Sequence, residues 1–265
     1  LAPFTERDAN RFFGRDAEIA RFISKLKDWP TLAVIGPSGA GKSSFVRAGV
    51  IPTLRGTADD WDIIVARPGR EPFAAVAEGI VGAEERTEIL DDKSVKDAAD
   101  EEHALASDLR KSPGHLGATL RARARAHGRP VLLYLDQFEE LYTLVEDGEV
   151  REDFATAVAN VAADATTPVR VVLSMRSDFL DRVSENRPLL EAVTRELTIL
   201  QQPSSDGLRD AIIQPAALAG YTFEDEGMVD EMVGSLASEM AALPLLQFAA
   251  AKLWEERDTE KKVLP

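Results

Sequence analysis

At 265 residues and 45% apolar content, the chain is long enough for one large domain, or for a core with a smaller attachment. Its 31 basic and 46 acidic residues leave a net charge of −15, which argues against a nucleic-acid groove as the main surface. Cysteine is absent, which excludes a disulfide framework, a thiol nucleophile and a cysteine-based metal site and fits a reducing cytoplasm, and no apolar run approaches the roughly 18 residues of a membrane span.

Leu1 is not methionine and polar residues begin at Thr5, so no secretory signal is visible and the chain reads as a piece of something longer. Ile19, Phe22, Ile23 and Leu26 recur at helical spacing after the polar lead-in Arg11–Glu18. Thr31–Ile35 is a continuous apolar run and predicts a buried parallel strand. A helical stretch from Ser43 to Val50 follows, with Pro52 expected to interrupt it. A second strand is predicted at Trp61–Ala66, ending in the turn Arg67–Pro68–Gly69–Arg70, and a helix from Pro72 turns Phe73, Val76 and Ile80 inward. Residues 84–108 are the most charged window, read as an exposed connector or a solvated helix. Thr119 to His127 is an Ala/Arg helix closed by Gly128. Its Arg121, Arg123 and Arg125, with Arg129 beyond, read as a solvated face. His103, His115 and His127 lie twelve residues apart in polar surroundings and read as solvated too.

Val131–Leu135 is the third strand, Phe154–Ala163 an amphipathic helix, Pro168–Ser174 the fourth strand and Leu197–Leu200 the fifth. After Pro203 the pattern is expected to hold helices only. The first is capped at Ser205 and kinked or ended by Pro215, the second carries Met228, Val229, Met232, Val233 and Leu236 on one face, and the last spans Leu243–Trp254. An α/β core over residues 1–202 and a helical subdomain over 203–265 follow from that change.

One segment carries explicit chemistry. Gly36–Pro37–Ser38–Gly39–Ala40–Gly41–Lys42–Ser43 matches the pattern G-x-x-x-x-G-K-S/T, and it stands between a predicted strand and a predicted helix. Glycines let consecutive N–H groups converge on phosphate oxygens, and the helix N-terminus adds its positive dipole end. In this pattern Lys42 reaches the β/γ-phosphates and the Ser43 hydroxyl ligates Mg²⁺, with Ser44 next in the cradle. The segment points to a nucleoside triphosphate.

Two further strand ends fit that reading. Asp136 closes an apolar strand, where it can hold a Mg²⁺-bound water; without the loop upstream it would read as an ordinary strand terminus. Glu139 or Glu140 can orient the attacking water, or both can simply occupy the first turn of a helix. Arg176 ends the fourth strand and can read the γ-phosphate, or can pair with Asp178 or Asp181.

Taken together, these residues resemble the STAND class of P-loop ATPases, relatives of the AAA+ group, and most of all the bacterial novel-STAND family. The likeness rests on Arg11–Glu18 (RFFGRDAE), Gly36–Gly49 (GPSGAGKSSFVRAG), Leu133–Leu141 (LYLDQFEEL), Met175–Val183 (MRSDFLDRV) and Ala242–Leu246 (ALPLL), which span nearly the whole chain. It implies a parallel five-stranded sheet of order 5-1-4-3-2 with a helical lid. It also implies that Gly14 and Arg15 line the adenine and ribose side, that Pro244 touches the nucleotide from the lid, and that Arg176 acts as sensor. Gln137 departs from the glutamate that many AAA+ relatives place after the metal aspartate, so the base is left to Glu139 or Glu140 and slow hydrolysis is expected.

The resemblance implies an ATP/ADP-dependent signalling switch, with sensor and effector domains elsewhere in a longer polypeptide and nucleotide-dependent self-association. The loop also looks like that of guanylate kinases, so a small-molecule phosphotransferase is an alternative, although those enzymes place the loop close to the N-terminus. A non-hydrolysing nucleotide scaffold is another, and a nucleic-acid remodelling ATPase is disfavoured by the charge.

Overall fold

A computed structural model describes residues 3–85, 92–161, 166–236 and 242–265. A 3-10 turn, Glu6–Arg11, precedes helix α1 (Asp16–Asp28), strand β1 (Thr31–Gly36), α2 (Lys42–Ser44), a π-helical stretch Phe45–Val50 and α3 (Ile51–Arg55). Next come β2 (Asp62–Ala66), α4 (Pro72–Glu85), α5 (Asp92–Lys111), α6 (His115–His127), β3 (Val131–Leu135), α7 (Glu140–Thr143) and α8 (Gly148–Val161). β4 (Val169–Arg176), α9 (Leu180–Val183), α10 (Arg187–Thr194) and β5 (Leu197–Ile199) follow. The chain closes with α11 (Ser205–Leu218), β6 (Thr222–Phe223), α12 (Glu226–Leu236), α13 (Ala242–Glu255) and β7 (Val263–Leu264).

The chain packs as two compact units. One comprises Ser24–Ile35 and Leu54–Ile199 and is built on a five-stranded sheet of order β2-β3-β4-β1-β5, the order that the family resemblance implies. The pairings β2–β3, β3–β4 and β1–β5 are parallel, with Asp62 opposite Val131, Val131 opposite Val169 and Ala33 opposite Leu197. Parallel strands joined by crossover helices are covered on both faces, which is why β1 and β3 are apolar runs buried along their whole length. Side chains alternate across the sheet. Val131, Leu133 and Leu135 of β3 share one face with Val169, Val171, Leu173 and Met175 of β4. Phe73, Val76 and Ile80 of α4, Leu116 and Leu120 of α6, and Phe154 and Val158 of α8 join the same core.

The other unit gathers Leu1–Ile23, Gly36–Thr53 and Leu200–Pro265. Leu208 and Ile212 of α11, Val229 and Val233 of α12 and Leu246 of α13 form its helical core. Phe22 meets Phe45 edge-on at 5.6 Å between ring centroids.

Several local expectations are corrected. Pro52 does not interrupt its helix, because α3 runs through it. The π turn just before widens the backbone and eases the clash of the ring with the carbonyl one turn back. The cap of α11 is Ser204, whose Oγ accepts the Gly207 N–H at 3.2 Å; with two serines in a row, the extended backbone of Ser204 selects it. Pro215 lies within α11 one turn from its end, where it forfeits a single backbone bond without stopping the helix. Residues after 203 are not helices only. β6 and β7 pair in parallel, and Leu264 is buried with Tyr221 and Ala216, in strands too short to show a period.

The charged window is helical from Asp92, with Leu109 buried; residues 86–91 lie outside the described residues. The helix expected at Phe154–Ala163 starts earlier, at Gly148, and Ala163 is also outside the described residues. Arg123 does not belong to a solvated face. It is 6% exposed and its Nε donates to Asp62 at 2.6 Å, while Nη1 donates to the Ile80 carbonyl.

Candidate functional site

The phosphate-loop pattern folds as that pattern demands. β1 ends at Gly36, the chain turns through Gly39 (φ 80°) and Gly41 (φ 82°), and α2 starts at Lys42. Gly41 stands at the N-cap in a left-handed conformation that an L side chain rarely adopts, so the sequence pattern and the backbone agree. Lys42 is 9% exposed, and its ammonium donates to the carbonyls of Gly36 and Pro37, both at 2.9 Å. Ser44 Oγ accepts the Phe4 N–H at 3.1 Å, and Ala40 is fully buried. Ser38 and Ser43 complete the loop and its first helical turn.

Two of the residues expected beside a nucleotide converge on this loop. A Cβ added at Gly39 would lie 3.1 Å from Pro244 Cγ, and one at Gly41 would lie 3.2 Å from Leu243 Cδ1, so α13 borders the loop. Arg15 is 4% exposed, and one nitrogen of its guanidinium donates to the Ala40 carbonyl at 3.0 Å and the Gln201 carbonyl at 2.9 Å. Its other terminal nitrogen donates to Glu18 at 3.2 Å. Burial lowers the Arg15 pKa and Glu18 opposes that shift. The neighbouring Gly14 (φ 84°) meets Gly207 backbone to backbone; a Cβ on Gly207 would approach the Gly14 carbonyl oxygen to 2.6 Å.

The carboxylate group belongs to the sheet unit. Asp136 follows β3, and its amide donates to the Ala66 carbonyl at 2.8 Å. It is 4% exposed, and its Oδ1 accepts the hydroxyls of Tyr134 and Ser174, each at 2.7 Å. Gln137 has φ 53°, a left-handed conformation that is costly for a side-chain-bearing residue, and its N–H donates to Ser174 Oγ at 3.1 Å.

Glu139 and Glu140 have different partners. Glu140 is buried and accepts the Arg67 Nε–H at 2.7 Å, with a second guanidinium nitrogen on the same oxygen. Glu139 Oε2 accepts the Arg176 N–H at 3.4 Å. The hydrogen bond to Glu140 raises the Arg67 pKa against a smaller effect of burial, and the charges of Asp136 and Glu139 add to the rise. Arg176 makes a two-point pair with Asp178, Nε at 3.0 Å and Nη2 at 2.6 Å, and lies over the Phe179 ring at 5.4 Å. Of its two candidate carboxylate partners, the structure pairs it with Asp178.

Sequence reasoning missed Tyr134, Ser174 and Arg67. Tyr134 stands in a fully buried, otherwise apolar strand and Ser174 in the buried central stretch of β4, which is a readable signal because a buried hydroxyl needs a partner. Arg67 directly follows β2, and nothing local ties it to Glu140.

Among the described residues no three or more His, Cys, Asp or Glu are gathered as a metal cage. The side chains at issue, a serine hydroxyl and an aspartate, are hard oxygen donors of the kind Mg²⁺ takes alongside substrate phosphates.

The fold is shared with solved P-loop ATPases. A Walker-type ATPase of Pyrococcus abyssi aligns with a TM-score of 0.66 at 17% identity, over 97% of this chain and 71% of that one. Domain III of the replication initiation protein DnaA from Thermotoga maritima gives 0.57 at 11% identity, over 100% of this chain and 94% of that one. The ORC1 protein of Aeropyrum pernix, solved in complex with DNA, gives 0.55 at 18% identity, over 96% and 63%. No curated relative matches the sequence. A glycine loop directly after β1 and a parallel sheet of order β2-β3-β4-β1-β5 thus accompany a sequence that fits the novel STAND NTPase 1 pattern over residues 1–264, and the chain belongs to that family of NTPases.

Proposed function

We propose that this chain is the ATP-binding, slowly hydrolysing switch module of a larger regulator, in which ATP and ADP favour different arrangements of the helical lid at residues 203–265. The contact of Leu243 and Pro244 with the loop glycines carries this reading: a group cradled by Gly36–Ser44 meets α13 directly. A ligand shifts a two-state equilibrium only by its differential affinity, and going from 1:99 to 99:1 needs about 5.5 kcal/mol. Contacts of Arg176 and the lid with the terminal phosphate supply part of that difference.

In this reading Lys42 leaves the Gly36 and Pro37 carbonyls for the β/γ-phosphates, and Ser43 and Asp136 hold Mg²⁺. The metal supplies charge neutralisation on the phosphates when bound. Glu139 is the base that orients water, because the Glu140 carboxylate is committed to Arg67. Arg176 exchanges Asp178 for the γ-phosphate and acts as sensor. Gly14 and Arg15 line the nucleoside side, with Arg15 also bracing the loop through Ala40. Gln137 in place of a second acidic residue favours slow turnover.

Self-association in the ATP state, and sensor and effector domains in the same polypeptide, belong to the same proposal. The DNA bound in the Aeropyrum pernix ORC1 structure is that protein's ligand; a charge of −15 favours no nucleic-acid partner here. Among the described residues no helix is long and apolar enough to cross a membrane, and cytoplasmic action is part of the reading.

Calorimetric titration with ATP and ADP in Mg²⁺, on wild type and Lys42→Ala, tests the proposal. Lys42→Ala should lose tight triphosphate binding, and unchanged affinity refutes the loop assignment.

A further inference from the structure

We propose that the ring of Phe4 forms a wall of the nucleobase subsite, set in place by a main-chain hydrogen bond to Ser44. The inference rests on the ATP-binding reading of the phosphate loop and adds to it a side chain that meets the base.

The placement begins with a fixed turn at the start of the chain. The Thr5 N–H and Oγ–H donate to Asp8 Oδ2 at 3.0 and 2.9 Å, and the Asp8 N–H donates back to the Thr5 carbonyl at 2.9 Å. Phe4 directly precedes this turn, and its own N–H donates to Ser44 Oγ at 3.1 Å. Ser44 closes α2, the helical turn that opens at Lys42. The donor at position 4 is a main-chain group, so replacing the ring leaves the tether in place.

The ring is held without being covered. Phe4 meets Phe12 edge-on, with 6.0 Å between ring centroids, and is 36% exposed. Phe12 in turn rests on the π-helical stretch after α2, where a Cβ added at Gly49 would lie 3.2 Å from its Cε1. Just beyond Phe12 stand Gly14 and Arg15, which the ATP-binding reading assigns to the nucleoside side. Phe4 therefore touches both the last residue of the phosphate cradle and the segment that leads to the nucleoside. All of these residues belong to one compact unit. Every base has a π-face, and stacking one on an aromatic side chain raises affinity by about 10-fold or more.

The test compares calorimetric titrations in Mg²⁺ with ATP and with inorganic tripolyphosphate, which has the phosphates and lacks the base. Wild type, Phe4→Ala, Phe4→Leu, Phe4→Tyr and Lys42→Ala are titrated, each with its melting temperature. Phe4→Ala and Phe4→Leu should weaken ATP binding about 10-fold, and Phe4→Tyr should stay near wild type because it keeps the ring. Tripolyphosphate affinity should stay within about 2-fold of wild type in all three, since a ring that meets only the base is independent of the phosphates. Lys42→Ala should weaken both ligands.

Unchanged ATP affinity in Phe4→Ala removes the ring from the subsite and overturns the inference. Equal losses for ATP and tripolyphosphate overturn it too, because Phe4 then acts on the loop and not on the base. If Lys42→Ala binds ATP as wild type does, the loop assignment itself fails and takes the inference with it, a result distinct from the other two. Phe4→Trp supplies a reading that stands even where Phe4→Ala lowers stability. ATP should quench its fluorescence beyond the wild-type response while tripolyphosphate does not, and equal responses to the two ligands overturn the inference.

Discussion

Neighbouring residues of one type can be assigned opposite tasks by their partners. Glu139 and Glu140 are indistinguishable as letters, yet Glu140 is locked to Arg67 while Glu139 accepts a long main-chain bond from Arg176. Glu139→Gln should therefore lower ATP turnover about 100-fold with nucleotide affinity retained, the scale of losing a positioned base. Glu140→Gln should act on stability instead, by on the order of 1 kcal/mol, discounted because Arg67 is half exposed. Single-turnover assays and denaturant melts on the two variants separate these outcomes, and equal turnover losses would count against the assignment.

Arg15 poses a similar question. One of its nitrogens holds the Ala40 and Gln201 carbonyls together, a geometry that an ammonium on a flexible stem does not reproduce. Arg15→Lys should weaken ATP binding about 10-fold, the equivalent of one hydrogen bond of about 1.4 kcal/mol. Beside it, Gly207→Ala pushes a methyl against the Gly14 carbonyl. Overpacking of this kind costs about 1–3 kcal/mol, so the melting temperature should drop by several degrees.

At the scale of elements, the charged staple between α6 and β2 shows how packing overrides composition. Arg123 and Asp62 pair at 4% and 10% side-chain exposure, with His127 3.2 Å from the same carboxylate. Removing one partner of a buried pair leaves the other uncompensated, so Arg123→Ala should cost about 3–5 kcal/mol. Burial alone would raise the Asp62 pKa, but the hydrogen bond and charge of Arg123, helped by His127, outweigh it and hold the pKa below the ordinary carboxylate value. A carboxylate with a depressed folded pKa stabilises the protein above its unfolded pKa of about 3.9 and loses that contribution as pH falls through the folded value. Stability of wild type and Asp62→Asn, followed by denaturant melts from pH 7 downward, should converge only below about pH 4. A constant gap across the range would remove the pair from the stability account.

For the whole molecule, the switch reading makes a linkage prediction. A ligand that binds only the folded chain stabilises it by about 2.7 kcal/mol at 100 times its dissociation constant. ATP with Mg²⁺ should raise the melting temperature, Lys42→Ala should abolish the rise, and ADP should give a different increment if the two nucleotides favour different lid states. Identical curves for ATP and ADP would leave a binding module without a switch.

How much of this was legible depends on the range of the interaction concerned. The phosphate loop, the strand before it and the inward faces of α4 and α12 are local patterns, written as glycine spacing, apolar runs and helical periodicity, and they could be read before any fold was known. The sheet order agreed with the family resemblance, since no single strand encodes its neighbours. Arg123 was misjudged because Arg and Ala alternate through α6. It shares the stripe of Leu116, Leu120 and Ala124, but only its meeting with Asp62, 61 residues earlier, makes a buried guanidinium tolerable. In the same way, the hydroxyls of Tyr134 and Ser174 join Asp136 through β3–β4 register, and Glu140 finds Arg67 73 residues away.

The chain's own letters determined that a loop of glycines and one lysine can cradle phosphate, because that chemistry is completed within eight consecutive residues. Tertiary structure alone decided which carboxylate is locked, which oxygen is held and which arginine is buried. Those outcomes turn on desolvation and partner geometry, and both arise only when distant strands and helices are brought together.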